Sequence, residues 1–307
     1  MQHIFSLLWV IFASLSDAFD TLVYKRVAEI AIRQKINKIF LVFIDYTTIT
    51  VVFSVLGFFA FGRVIWWEIG DIFSSLTYLS LLLGVAIARI CTVVFFATAY
   101  GNEKISILAP YAQVSSILGI IFGFILFPGT TSWITLIFAL IASAILLGSN
   151  INRGSLQFNK YCLILVISEV AQALGIIFSA KLAFGFSPIA ITVWHCAVWA
   201  WVLLGTYFVA KNPRGIHLPK WGKKMGFLGR ITLSNTFWLS NVLISLYLFR
   251  NFGVTLTILL SMSTILVSFV SSYFVYGDVP TRKNIIVAIL ISLCIALGTY
   301  FSPALVQ

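Results

Sequence analysis

Long apolar runs alternate with short polar breaks along this chain, and the runs have the length of membrane-crossing helices. Ten stand out, over 4–24, 39–60, 75–99, 104–127, 131–149, 161–181, 188–210, 226–249, 253–276 and 283–302. About 20 mostly apolar residues cross the hydrocarbon layer as a helix. Barrel strands are excluded, because the runs are about twice too long for a strand and do not alternate between apolar and polar positions. The connections leave no room for a soluble domain. The predicted fold is all-α and integral to the membrane, with ten transmembrane helices.

Composition strengthens that expectation. Of 307 residues, 61% are hydrophobic and only 9% are charged, against roughly 25% charged in an ordinary soluble domain. So few polar residues could not cover that much apolar surface in water. The net charge of +11 would suit a nucleic-acid partner if it formed one patch. It falls instead in two connections: Lys25, Arg26, Arg33, Lys35 and Lys38 after the first run, and Lys211, Arg214, Lys220, Lys223 and Lys224 after the seventh. Basic segments beside a membrane face the cytoplasm and touch anionic lipid. Lipid is the expected macroscopic partner, and nucleic acid is not. Cys91, Cys162, Cys196 and Cys294 all fall within apolar runs without CxxC spacing, which predicts packing residues and no metal or disulfide framework. The first run lacks a preceding Lys or Arg and carries Asp17 and Asp20, which argues against a cleaved signal peptide.

Slid against itself by about 150 residues, the chain shows a repeat. Asn102 meets Asn251, Ser106 meets Thr255, and Ser115 meets Thr264. Gly119-x-x-x-Gly123 meets Ser268-x-x-x-Ser272, small residues whose spacing lets helix backbones approach closely. Pro128-Gly129 meets Gly277-Asp278. The organisation expected is a five-helix unit over 1–150 and a second over 151–307. Five is odd, so the second unit must enter the membrane in the opposite direction. Inverted repeats of this kind place a site near the midplane, between the units, and allow alternating access.

The ionisable residues of the two units correspond. Asp17 meets Glu169, Asp20 meets Gln172 and Asp45 meets His195. A charge at membrane depth costs at least ~2.5–3.5 kcal/mol on insertion scales, so such residues usually have a function there. Asp17 and Asp20 are three apart, on one helix face, and Glu169 with Gln172 repeats the geometry. They are candidate ligands for a cation, an ammonium group or a proton. One site that holds either a proton or a cationic substrate couples their movements. Arg89, in the middle of its run, needs a partner, which one of the acids could supply; its planar fork also suits a substrate carboxylate. Asp45 and His195 lie about two turns from one surface and are candidates for the site or its access path. Asn235 and Asn241 suit interhelical hydrogen bonds. Pro110 interrupts the hydrogen-bond ladder of its run and is a candidate bending point for gating. No HExxH, GxSxG or P-loop sequence occurs, so no enzyme and no cofactor is expected.

Five plus five inverted helices resemble the drug/metabolite transporter superfamily, and the repeat unit resembles its EamA-type domain. Locally, Leu15-Ser16-Asp17-x-x-x-Thr21-x-x-x-Lys25 is similar to the first helix of the small multidrug resistance proteins. There a membrane-embedded glutamate binds either protons or a cationic substrate, and a lysine follows eight residues later. The resemblance implies the glutamate's role for Asp17 and the lysine's place for Lys25, with Glu169 as the second copy fused into one chain. It implies a secondary transporter or exporter in a bacterial cytoplasmic membrane, with a small-molecule substrate, protons as coupling ions, and a monomer sufficient for function. The extra Asp20, Asp45 and Arg89 shift the expected substrate towards a small polar, zwitterionic or cationic metabolite. A facilitative exchanger of anionic or nucleotide-linked metabolites is the alternative within transport, and an intramembrane enzyme or lipid-handling protein the alternative outside it. Ten-helix members of the superfamily keep both termini in the cytoplasm. Here the even-numbered connections hold only Arg63, Lys181 and Arg250, and the charge asymmetry predicts both termini outside.

Overall fold

The computed structural model describes residues 2–33, 41, 43–51, 63–103, 108, 111–127, 131–149, 159–192, 205, 221–263, 267 and 282–302. Among them there is no strand. The helices are α1 (Gln2–Arg33), α2 (Arg63–Ser74), α3 (Leu76–Tyr100), α4 (Val114–Leu126), α5 (Trp133–Ser149), α6 (Lys160–Ala183), α7 (Pro188–Ile191), α8 (Trp221–Phe252), α9 (Val254–Ser261) and α10 (Arg282–Tyr300). Residues 43–51 are also helical, and a 3₁₀ turn, Tyr111–Gln113, precedes α4. Leu76–Tyr100, Lys160–Ala183 and Gly226–Phe252 are long and apolar enough to cross a membrane. Large apolar side chains such as Leu76, Ile125, Trp133, Ile289 and Leu293 stand more than half exposed on the outside. An apolar exterior on long apolar helices is the character of a helical membrane protein.

Helix boundaries differ from the apolar runs where the chain stays a good helix former beyond them. α1 continues through Lys25, Arg26 and Arg33, so these cations sit on the helix and not in a connection. No Gly or Pro interrupts Val27–Arg33 to stop it. α8 likewise begins at Trp221 and carries Lys223 and Lys224 in its first turn. α9 is shorter than its run. The Ser261 hydroxyl donates to the Ile258 carbonyl at 2.7 Å, and the Ser263 amide bonds back three residues, to Leu260, at 3.0 Å. Serine competing for backbone acceptors tightens the ladder there.

Local chemistry fixes several ends. Asn159 caps α6, its side chain accepting from the amides of Tyr161 at 2.8 Å and Cys162 at 3.1 Å. The same amide group donates to Glu103 at 2.7 Å, tying α6 to the end of α3. Ser187 caps α7, with Pro188 in the first helical position, and its own amide and hydroxyl donate to Glu68 of α2 at 2.8 Å. α8 turns into α9 through Gly253, at φ 77° and ψ 166°, a conformation essentially reserved for glycine. Gly253→Ala is expected to cost about 1–3 kcal/mol of stability, seen as a lower melting temperature in detergent; an unchanged Tm would show that this corner relaxes freely.

Packing joins the two halves of the chain helix by helix. α1 lies on α8, α3 on α6, α4 on α9 and α5 on α10. The α3–α6 contact is close where Gly84 faces the ring of Phe178, and the Ser168 hydroxyl donates to the Thr92 carbonyl at 2.9 Å. Between α5 and α10, Thr135 donates to the Gly298 carbonyl at 3.0 Å and Ser132 to that of Phe301 at 2.9 Å. Gly119 and Gly123 of the small-residue pattern face Ile258, Val254 and Thr255 of α9; their expected counterparts Ser268 and Ser272 lie outside the described residues. One large apolar core runs through these helices, with Leu82, Ile120, Leu136, Ile177, Leu259 and Ile291 among its members. Cys91, Cys162 and Cys294 form no disulfide among the described residues.

Candidate functional site

A cavity of about 450 Å³ lies between the paired helices. Four of the helices that line it present one stripe each, at the three- and four-residue spacing that brings side chains to one face. α1 contributes Ser14, Asp17, Asp20 and Tyr24; α3 contributes Arg89, Thr92, Phe96 and Tyr100. α6 supplies Glu169, Gln172, Ile176 and Ser179, and α8 supplies Ser234, Trp238, Asn241 and Ser245. Asp45, from the helical stretch 43–51, and Ser115, from α4, add to the polar lining.

Asp17, Asp20, Asp45, Arg89, Glu169 and Gln172 all reach this one space from separate parts of the sequence. His195 and Pro110 lie outside the described residues. Glu169 and Asp45 are the most enclosed, at 3% and 6% exposure, while Asp17 and Asp20 are partly accessible. Each of the four acids has a side-chain partner on another helix. Asn241 donates to Asp17 Oδ1 at 3.0 Å, and its own oxygen accepts from Ser245 at 3.2 Å. Ser234 donates to Asp20, and Ser115 bonds Glu169. Asn235 donates to the main-chain carbonyl of Asp45 at 3.1 Å and also bonds its carboxyl group, while Oδ1 of that carboxylate has no partner. Asp17 and Glu169 lie within electrostatic reach of each other.

Arg89 corrects one expectation. Among the described residues no carboxylate pairs with it. Its guanidinium lies over the ring of Trp238, 5.6 Å from the centroid, and its Nε has no hydrogen-bond partner. A guanidinium is weakly hydrated and planar, so an aromatic face can hold it without using its N–H groups. The donors are left for something else.

Asn241 makes an interhelical hydrogen bond, as expected of it, but sequence reasoning missed its companions Ser234, Trp238 and Ser245 on α8. The four recur at spacings of four, three and four. That periodicity was present in the run and could have marked the facing wall. Tyr24 and Phe96 carried no such signal, since aromatic residues are common throughout this chain. Among the described residues no group of His, Cys, Asp and Glu is arranged to hold a metal ion.

No family model matches the chain, and no curated protein matches its sequence. A solved structure, a crystal structure of a protein, matches with a TM-score of 0.64 and 15% identity, covering 98% of this chain and 99% of that one. Such a likeness shows a shared fold from end to end.

Proposed function

We propose that this chain is a membrane-embedded secondary transporter of ten helices, built as two inverted five-helix repeats. It moves a small polar, zwitterionic or cationic metabolite by alternating access, coupled to protons through Asp17 and Glu169. One observation carries this reading: a cavity between the halves is lined by matched acids, one from each half. The helix pairing supports the inverted plan. In repeat terms, α1 corresponds to α6 and α3 to α8, so the α1–α8 and α3–α6 contacts are equivalents of each other. The α4–α9 and α5–α10 contacts each join a helix to its own counterpart, as a two-fold relation between halves requires. Four carboxylates against one guanidinium weigh against an anionic substrate.

Reconstituted into liposomes with an imposed pH gradient, the full chain is expected to dissipate that gradient when a transported solute is added. A panel of amino acids, polyamines and organic cations serves as probe. Solute uptake without any proton movement would remove the coupling, and no uptake across the panel would remove the transport reading itself.

A further inference from the structure

Two parts of the cavity wall carry polar atoms that the protein leaves unanswered. At one, Asp45 is enclosed with Oδ1 unpartnered, and the buried hydroxyl of Tyr24 also lacks a hydrogen bond. Phe96 closes the side of this recess, edge-on to Tyr24 at 5.9 Å and stacked on Tyr100 at 4.1 Å. Asp20 lies within electrostatic reach of Tyr24 and Asp45, but Ser234 already occupies one of its oxygens. At the other, Arg89 rests on Trp238 with Nε free. Gly175 faces it from α6, where even a Cβ would stand 3.8 Å from Nε, so no side chain screens that edge.

Buried polar atoms without partners are costly to a fold, and leaving a carboxylate oxygen, a hydroxyl and a guanidinium nitrogen so in one cavity needs a reason. Had the acid and the guanidinium been meant only to neutralise each other, they would form an ion pair, and they do not. A ligand bearing both complementary charges satisfies both. We propose that the cavity binds a dipolar amine in one direction, with its ammonium in the recess of Asp45, Tyr24 and Phe96 and its carboxylate on Arg89. An ammonium offers three donors: Asp45 Oδ1 and the Tyr24 oxygen accept two, and the aromatic faces attract the charge. The guanidinium fork takes a carboxylate bidentately. A simple amine leaves Arg89 unanswered, and a simple carboxylate meets the acids without a counter-charge. The proposal names the ligand of the transport reading and rests on it for the cavity's role.

Thermal melting of the full-length protein in detergent tests this with three probes: a mixture of the twenty common amino acids, linear primary amines of two to six carbons, and linear monocarboxylates of the same lengths. The amino acids are expected to raise the wild-type Tm at concentrations roughly 10-fold lower than either other probe. Asp45→Asn and Tyr24→Phe weaken the amino-acid response about 10-fold and abolish the amine response. Arg89→Lys keeps a cation over Trp238 but loses the fork, and weakens the response to amino acids and carboxylates alone. Without ligand, Asp45→Asn and Arg89→Lys melt no lower than wild type, because asparagine still offers Asn235 an acceptor and lysine keeps a cation over Trp238. The proposal is overturned if wild type ignores the amino acids, if the variants respond as wild type does, or if unliganded Asp45→Asn melts several degrees lower. If the binding pattern holds and liposomes show no transport, the transport reading fails and this subsite stands. If coupled transport is seen while Asp45→Asn binds amino acids normally, the reverse is true.

Discussion

Glu169→Gln is expected to abolish proton-coupled uptake while leaving the protein folded. Glutamine preserves the shape and can still bond Ser115, the partner Glu169 has on α4, so packing is retained. What it removes is the exchangeable proton and the charge that a cationic group would meet. A hydrogen bond to a charged partner contributes about 1.5–3 kcal/mol, so substrate affinity should fall by roughly 10- to 150-fold, and gradient-driven accumulation should cease. Asp17→Asn should act in the same direction. Asn241 donates to Asp17 from the facing helix at 3.0 Å, and an asparagine can still accept that bond. The informative comparison is the double variant. If the two acids serve one proton and one substrate in turn, the second substitution adds little to the first. Full multiplicative loss would mean two independent sites, and full coupled transport in either single variant would end the proposal.

Gly123→Val is expected to be among the most damaging substitutions away from the cavity. An added Cβ would stand 2.9 Å from Val254 Cγ1, 3.0 Å from Val254 Cβ and 3.1 Å from Thr255 Oγ1. Both facing residues are fully buried and β-branched, so neither can rotate away cheaply. Overpacking of a tight contact costs about 1–3 kcal/mol, and here it would also wedge α4 from α9 along the seam between the halves. Lower detergent Tm with reduced folded yield is the expected outcome. The control is Gly148→Val, where no atom lies within 4 Å of the added Cβ. Equal behaviour of the two variants would show that close approach at Gly123 carries no weight.

Much of this was legible because membrane depth makes polar residues informative. Asp17, Asp20, Asp45, Arg89 and Glu169 stood out against apolar runs, and the structure brings all five to one cavity. The Gly119-x-x-x-Gly123 pattern marked a close helix contact, and α9 is what it touches. Sequence could not give the partners. Arg89 needed a neighbour, and simple charge matching named an acid where the fold supplies the Trp238 ring. Which face of α8 turns towards Arg89 depends on its rotation against α1, which no residue count reveals. The end of α9 was hidden for another reason: the backward hydrogen bonds of Ser261 and Ser263 that mark it leave no trace in hydropathy.

The hydrogen bond from Asn241 to Asp17 spans 224 residues of sequence, and that distance sets an order of events during synthesis. At about 5–20 residues per second, α1 is made roughly 10 to 45 seconds before its donor exists. Through that interval Asp17 and Asp20 have neither Asn241 nor Ser234 to answer them. On the proposed ten-helix plan, the nascent first helix waits at the insertion machinery or at the lipid interface until α8 arrives to close the seam.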